Sequence, residues 1–188
     1  MKTLVFNGSP HPHGDTASLL AKLSALLPGE ITEIRAYDAP ISPCIDCRAC
    51  RTSAGCVIED AMQKVYDEIQ DCDNIVIASP LYFSELTGKL LDLASRLQTY
   101  FSARYFRGEE PIAKTKKGAV ILVGGGDGKP ERAFLTAQSL LHHMRCTKIH
   151  PLVVSHQTDR IAAADDPQAI SGIEQIADFS KKTEKRDI

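Results

Sequence analysis

The 188-residue chain contains no tryptophan, so any aromatic face it offers a ligand must come from its five Tyr and six Phe. It also lacks any apolar run near the roughly 18 residues that a membrane helix needs, and its N-terminus shows no export pattern. Neither charge sign dominates: 22 Lys and Arg stand against 24 Asp and Glu, a formal net charge of −2. With no long basic run either, neither nucleic acid nor a membrane is expected as a partner. Two nucleotide signatures are absent. No Gly-Lys-Ser/Thr completes a Walker A loop, which argues against an NTPase, and no Gly-x-Gly-x-x-Gly marks a dinucleotide-binding Rossmann site.

What is present has ordinary globular composition, 43% apolar and 24% charged, which excludes disorder and fibrous repeats. The length suits one domain, expected over residues 1–180 with a polar tail at 181–188. One count is unusual. Of six cysteines, Cys44, Cys47, Cys50 and Cys56 fall within thirteen residues. The missing export pattern points to the cytoplasm, where clustered thiols bind metal or do redox work more often than they form disulfides. Cys72 and Cys146 stand alone in helix or helix-end segments and read as buried small apolar residues.

Apolar runs alternate with helical patterns along the whole chain. Thr3 to Asn7 reads as a buried strand closed by Gly8, and Leu19, Leu20, Leu23, Leu26 and Leu27 mark a helix from about Thr16 that Pro28-Gly29 ends. Ile31 to Ala36 alternates like a half-covered strand. Residues 43–58 show no period and read as a structured loop. Met62, Val65, Tyr66 and Ile69 give a second helix, and Asn74 to Ala78 a strand stopping at Ser79-Pro80. A third helix is expected over Gly88 to Tyr100, followed by a strand from Gly118 to Val123. Phe134 to Met144 supplies a fourth helix, Ile149 to Val154 a last strand interrupted by Pro151, and Ile170 to Ala177 a final helix. Five βα units with near-continuous apolar strands predict an α/β fold whose parallel sheet is covered on both faces. Ligands of such sheets sit beyond the carboxyl ends of the strands. The loops after Asn7, Ser79 and Val123 are therefore the places to look.

The first of these, Gly8-Ser9-Pro10-His11-Pro12-His13-Gly14-Asp15-Thr16, runs straight into a helix, whose N-terminal amides and dipole suit a phosphate. Taken alone it is equally a plain helix start capped by Thr16 or Asp15. The second reads Ser79-Pro80-Leu81-Tyr82-Phe83-Ser84-Glu85-Leu86-Thr87-Gly88, and the third Gly124-Gly125-Gly126-Asp127. Strand, Gly-Ser-Pro, polar segment, Gly-Asp-Thr, with a Ser-Pro-x-Tyr loop and a glycine loop after later strands, resembles the flavodoxin-like NAD(P)H-dependent FMN reductases and their relatives, the iron–sulfur flavoproteins. The resemblance follows the element order of the whole chain and implies a three-layer sandwich with a five-stranded parallel sheet of order 2-1-3-4-5.

Carried over residue by residue, the resemblance implies FMN phosphate at Ser9, His11, Asp15, Thr16 and the amide of Ala17. It implies the flavin ring beside Pro80, Leu81, Tyr82 and Phe83, with Gly125, Gly126 and Asp127 near its polar edge. The flavin carries the chemistry, so no indispensable acid or base is expected; Tyr82 and Asp127 are the side chains to test. Two positions depart from the family. His11 stands where relatives commonly carry Arg or Lys, so FMN binding is expected to weaken as pH rises through the histidine range. Asp15 stands where many relatives carry Asn, and beside a phosphate its carboxylate must turn away toward the helix.

The spacing Cys44-x-x-Cys47-x-x-Cys50-x5-Cys56 can wrap thiolates around one compact centre, as ferredoxin runs do, and fits two-knuckle zinc less well. It is similar to the motif with which iron–sulfur flavoproteins ligate a [4Fe–4S] cluster, and also to that of relatives without one. Arg48 and Arg51 sit between the thiolates, either offsetting their charge or simply solvated. Three functions follow: an FMN oxidoreductase passing electrons from NAD(P)H or another donor to a small acceptor or through a cluster to a protein; a cluster-free quinone, azo or flavin reductase; or a non-catalytic electron carrier or thiol sensor. Four aromatics in Tyr100 to Phe106, read as lying between elements, point to a homodimer or homotetramer, with a flavin lid or local packing as alternatives.

Overall fold

A computed structural model describes residues 1–181; the polar tail, apart from Lys181, lies outside the described residues. The strands are β1 (Lys2–Asn7), β2 (Glu30–Arg35), β3 (Asn74–Pro80), β4 (Lys116–Val123), β5 (Cys146–Ile149) and β6 (Val153–Ser155). The helices are α1 (Asp15–Leu26), α2 (Met62–Asp71), α3 (Gly88–Ser95), α4 (Gln98–Phe106), α5 (Glu131–His143) and α6 (Pro167–Lys181). All strand pairs are parallel, in the order β2-β1-β3-β4-β5, with β6 also paired to β4.

Alternation along the central strands builds two cores. Leu4, Phe6, Ile75, Ile77, Val120 and Leu122 face one side, with Ile69 of α2, Leu90 and Leu93 of α3 and Leu141 of α5. Val5, Val76, Ala119 and Ile121 face the other, against Leu19 and Leu23 of α1 and Ile173 and Ile176 of α6. Because side chains point to opposite faces at every second position, apolar residues at every position demand cover on both. β2, at one edge, has only half-buried and exposed side chains, as its polar alternation predicted.

Four expectations need correction. The last strand is two: β5 pairs Lys116 to Gly118 and β6 pairs Ile121 to Val123 of the same β4. Pro151 has no amide to donate, so the ladder breaks there, although the His150 amide still reaches Gly118 O at 2.9 Å. Cys146 accordingly opens β5 rather than ending a helix; it is buried, as is Cys72, the C-cap of α2. The third helix is also two. At the junction Arg96 N bonds Leu93 O and Leu97 N bonds Ala94 O, one residue tighter than α-helical bonding. The carbonyl of Arg96 instead accepts the Tyr66 hydroxyl at 2.9 Å. The aromatic segment Tyr100 to Phe106 thus belongs to α4 and not to a connection.

Candidate functional site

The loops after β1, β3 and β4 lie side by side because their strands are neighbours. Main-chain bonds stitch them: Gly8 N to Ala78 O at 2.8 Å and Leu81 N to Val123 O at 2.8 Å. The Thr87 hydroxyl adds a bond to Gly8 O at 2.7 Å. Gly8 has no room for a side chain, since a Cβ there would stand 2.9 Å from Leu90 Cδ2 and 3.0 Å from both Ser79 Oγ and Thr87 Oγ1.

In the first loop Ser9 is buried; its amide bonds Asn7 Oδ1 at 2.8 Å, and its hydroxyl accepts from His11 N at 3.2 Å. Gly14 is the N-cap of α1, and no side chain of the described residues caps it. The helix start is therefore not the side-chain-capped one that Thr16 or Asp15 would have made. Asp15 turns away, its Oδ1 accepting from the Ala163 amide at 2.7 Å, and thereby ties α1 to the segment before α6. Thr16 is buried, Ala17 half-buried, and His11 and His13 exposed. An uncapped helix start opening into this loop suits an anion.

In the second loop Tyr82 and Glu85 exchange both main-chain bonds at 3.0 Å, closing a two-residue turn. Phe83 (φ 55°) and Ser84 (φ 62°) form its tip in the left-handed region, unfavourable for both residue types. Phe83 is fully exposed and Tyr82 44% exposed, while Pro80 and Leu81 are half-buried. Glu85 anchors the loop to α5 by accepting from Thr136 Oγ1 at 3.0 Å.

The third loop is braced by a segment the sequence reading passed over, residues 156–159 after β6. Thr158 N bonds Gly124 O at 3.1 Å, and Gln157 Nε2 bonds Asp127 Oδ1 at 2.7 Å. A Cβ on Gly125 would meet the Asp159 carboxylate at 2.7–2.9 Å. His156 Nδ1 is buried with no partner among the described residues. β6 runs parallel to β4 and ends opposite Val123, so this segment too lies beyond the carboxyl edge of the sheet. An uncapped helix start, a glycine-lined edge, exposed rings and an orphaned imidazole nitrogen together fit a planar phosphorylated ligand such as FMN.

The cysteine segment is held mainly by side chains. Arg96 (1% exposed) donates from one terminal nitrogen to Ser42 O at 2.9 Å and to Asp60 Oδ2 at 2.7 Å, and from the other to Ile58 O at 3.0 Å. Asp60 also accepts from Ser42 N at 2.9 Å and from Met62 N at 3.0 Å. Burial opposes its ionisation, but the Arg96 bond and these amides outweigh it and hold its carboxyl below the usual range. Ser95 Oγ receives the Cys44 amide at 2.8 Å, Cys50 Sγ meets Ser102 Oγ at 3.3 Å, and Arg107 bonds Cys50 O.

All four cysteines are free, and all line one cavity of about 60 Å³. Among the described residues, however, no group of three or more His, Cys, Asp or Glu stands together as a metal site. Cys44, Cys47, Cys50 and Cys56 share the walls of this cavity without standing together as a metal site. Of the two interleaved arginines, Arg48 pairs with Asp46 at 3.2 Å and Arg51 lies over the Phe106 ring at 4.5 Å.

The NADPH-dependent FMN reductase family matches residues 1–159. An iron–sulfur flavoprotein of Archaeoglobus fulgidus is 29% identical over 134 residues, 70% of this chain and 58% of the relative. The matched stretches make up 51% to 58% of the first curated relatives' own lengths. Among solved structures, NAD(P)H:quinone oxidoreductase from Methanothermobacter marburgensis superposes with a TM-score of 0.69 at 14% identity, covering 98% of both chains. RosB with a bound 8-demethyl-8-formylriboflavin-5′-phosphate intermediate gives 0.73 at 16% identity, over 95% of this chain and 76% of that one. At such identities these structures establish the flavodoxin-like fold alone. The match over residues 1–159 does more: this chain belongs to the NADPH-dependent FMN reductase family.

Proposed function

We propose that the chain is an FMN-dependent oxidoreductase, reduced by NAD(P)H or another donor and oxidised by a small acceptor such as a quinone or a flavin. The observation that carries this reading is the convergence of the three stitched strand-end loops beside an uncapped helix start, in a chain of this family. When bound, FMN supplies the redox chemistry, taking up a hydride and passing electrons on. Ser9, His11 and Thr16, with the amides of Asp15 and Ala17, would hold the phosphate. Pro80, Leu81, Tyr82 and Phe83 would lie beside the ring, and Gly125, Gly126 and Asp127 near its polar edge. Donor and acceptor use one open face in turn, which predicts ping-pong kinetics.

The test is FMN titration of the purified full chain, then steady-state NADPH and NADH oxidation with a quinone. Stoichiometric FMN uptake and parallel double-reciprocal lines are expected. A chain that takes up no FMN overturns the reading; uptake without turnover supports the non-catalytic carrier or thiol sensor instead.

A second reading rests on the spacing of Cys44, Cys47, Cys50 and Cys56, which would hold a [4Fe–4S] cluster, although among the described residues they do not stand together as a metal site. The similar proteins named iron–sulfur flavoproteins support it. Iron and acid-labile sulfide in anaerobically purified protein, lost on Cys47→Ser, are the expected result; their absence leaves the cluster-free reductase. Assembly as a homodimer or homotetramer is supported by Phe101, Tyr105 and Phe106, exposed together on α4, with Phe101 and Tyr105 stacked at 5.3 Å. A cytoplasmic location fits the free cysteines, and no described helix is long and apolar enough to cross a membrane.

A further inference from the structure

The third loop is rich in free donors and poor in free acceptors. The amides of Gly125, Gly126 and Asp127 donate to nothing among the described residues. The acceptors around them are mostly taken. Gly124 O receives Thr158 N at 3.1 Å and Gly126 O receives Gln157 N at 3.4 Å, while Asp127 Oδ1 receives Gln157 Nε2 at 2.7 Å. One carboxylate is left over. Asp159 accepts no hydrogen bond and pairs with no cation among the described residues.

Backbone bonds fix where that carboxylate lies. Those from Gln157 N and Thr158 N hold the segment against the glycines, and Arg160 N and Ile161 N both bond Gln157 O, at 2.8 and 3.1 Å, closing a turn around Asp159. A Cβ built on Gly125 would stand 2.7 Å from Asp159 Oδ2 and 2.8 Å from Oδ1. Both oxygens therefore fill the space where residue 125 would carry a side chain. Beside them the loop is open, since a Cβ on Gly126 would meet nothing within 4 Å. Asp159 is itself exposed, so its oxygens face the glycine backbone and solvent together.

An acceptor set among donors is complementary to an edge that reads acceptor, donor, acceptor. A cyclic imide, O=C–NH–C=O, has that edge, and the pyrimidine ring of a flavin carries one. We propose that Asp159 reads it, its carboxylate accepting the imide N3–H while amides of the glycine loop donate to the flanking carbonyl oxygens. The inference rests on the FMN reading and extends the site to a residue outside the three strand-end loops. Asp159 is a specificity-determining residue, which selects the ring and takes no part in electron transfer. Glycine at 125 then leaves the carboxylate its place.

The test is binding of FMN and of 3-methyl-FMN, in which a methyl group replaces the imide N–H, to the full chain freed of flavin and followed by flavin fluorescence. Only a ligand that can donate loses a bond when the acceptor is removed, so the ratio of the two dissociation constants isolates this contact. Wild type should bind FMN about tenfold more tightly than 3-methyl-FMN, the scale of one hydrogen bond to a charged group. Asp159→Ala should abolish most of that preference and leave the urea midpoint unchanged, because the side chain is exposed and unpaired. Asp159→Asn keeps an oxygen acceptor and should keep most of the preference. An unchanged ratio in Asp159→Ala overturns the proposal, as does a wild type that binds both flavins alike.

Should Asp159→Ala not fold, Gly125→Ala decides alone. Its Cβ takes the space of the carboxylate oxygens, so the preference should fall there too, and a ratio kept at the wild-type value refutes the proposal. Failure of the flavin reading looks different. A wild-type chain that takes up neither flavin overturns both, whereas FMN uptake with no dependence on Asp159 leaves the site and removes this residue from it.

Discussion

The strand-end loops and the cysteine segment are both irregular chain, yet they are fixed in opposite ways. Main-chain atoms fix the loops: Gly8 to Ala78, Leu81 to Val123, Gly124 to Ser155 and the Tyr82–Glu85 pair are all backbone contacts. Sheet topology dictates them, which leaves the side chains of Phe83, Tyr82 and His11 free to face a ligand. The cysteine segment borrows its shape from Arg96, Ser95, Ser102 and Arg107, all on or beside α3 and α4. One substitution should therefore release the segment, whereas the loops should yield only where backbone itself is crowded.

The largest effect tests the first half of that statement. Arg96→Ala leaves the partly buried Asp60 without its cation and the carbonyls of Ser42 and Ile58 without these donors. Removing one partner of such a pair costs about 3–5 kcal/mol. Urea denaturation should show this loss, and limited proteolysis should cut within residues 43–58 while the sheet stays protected. The second half is tested at Gly8. A Cβ there would press on Leu90 Cδ2, on Ser79 Oγ and on Thr87 Oγ1, whose hydroxyl bonds Gly8 O, so Gly8→Ala should cost about 2 kcal/mol and weaken FMN binding roughly tenfold. Gly125→Ala makes the contrast. Its obstacle is the exposed Asp159 carboxylate, which can swing aside, so stability should change by less than about 0.5 kcal/mol.

The same division explains what could be read from the sequence. The sheet was legible because Val5, Val76 and Ile121 leave β1, β3 and β4 no polar face, and the loops followed from where those strands stop. The break between α3 and α4 was not, because Leu90, Leu93 and Leu97 keep helical spacing straight through it. At the break the Arg96 carbonyl accepts the hydroxyl of Tyr66, thirty residues away. Arg96 itself looked like any surface arginine, since the groups that bury it lie at positions 42, 58 and 60. Asp15 is the extreme case, its partner amide being 148 residues further on. Contacts made by strand order could be foreseen, and contacts made by one long side chain could not.

A smaller effect separates the charge of the Arg96–Asp60 clamp from its shape. Asp60 is more acidic in the fold than in the unfolded chain, where its pKa is about 3.9. Its pairing therefore contributes stability that is fully present above the ordinary carboxylate range and lost as pH falls through the lowered folded value. At pH 7 Asp60→Asn should cost about 1–2 kcal/mol through weakened hydrogen bonds. The gap between variant and wild type, followed by urea midpoints, should narrow below about pH 4. A gap that stays constant into acid would mean that the clamp works by shape alone.

The last effect has the opposite sign and asks whether the strand-end loops keep strain for use. Phe83 and Ser84 hold left-handed backbone that Asn and Gly adopt more easily, and Phe83 contributes no burial in return. Phe83→Asn with Ser84→Gly should thus stabilise the chain by about 0.5–1 kcal/mol. If the exposed ring serves ligand stacking, the gain comes with weaker FMN or acceptor binding, read as a raised Kd or KM. A stabilised double variant with unchanged FMN affinity and unchanged KM would remove Phe83 from the flavin site. The turn would then rest on its Tyr82–Glu85 main-chain bonds and the Glu85–Thr136 anchor, with no share for the Phe83 ring.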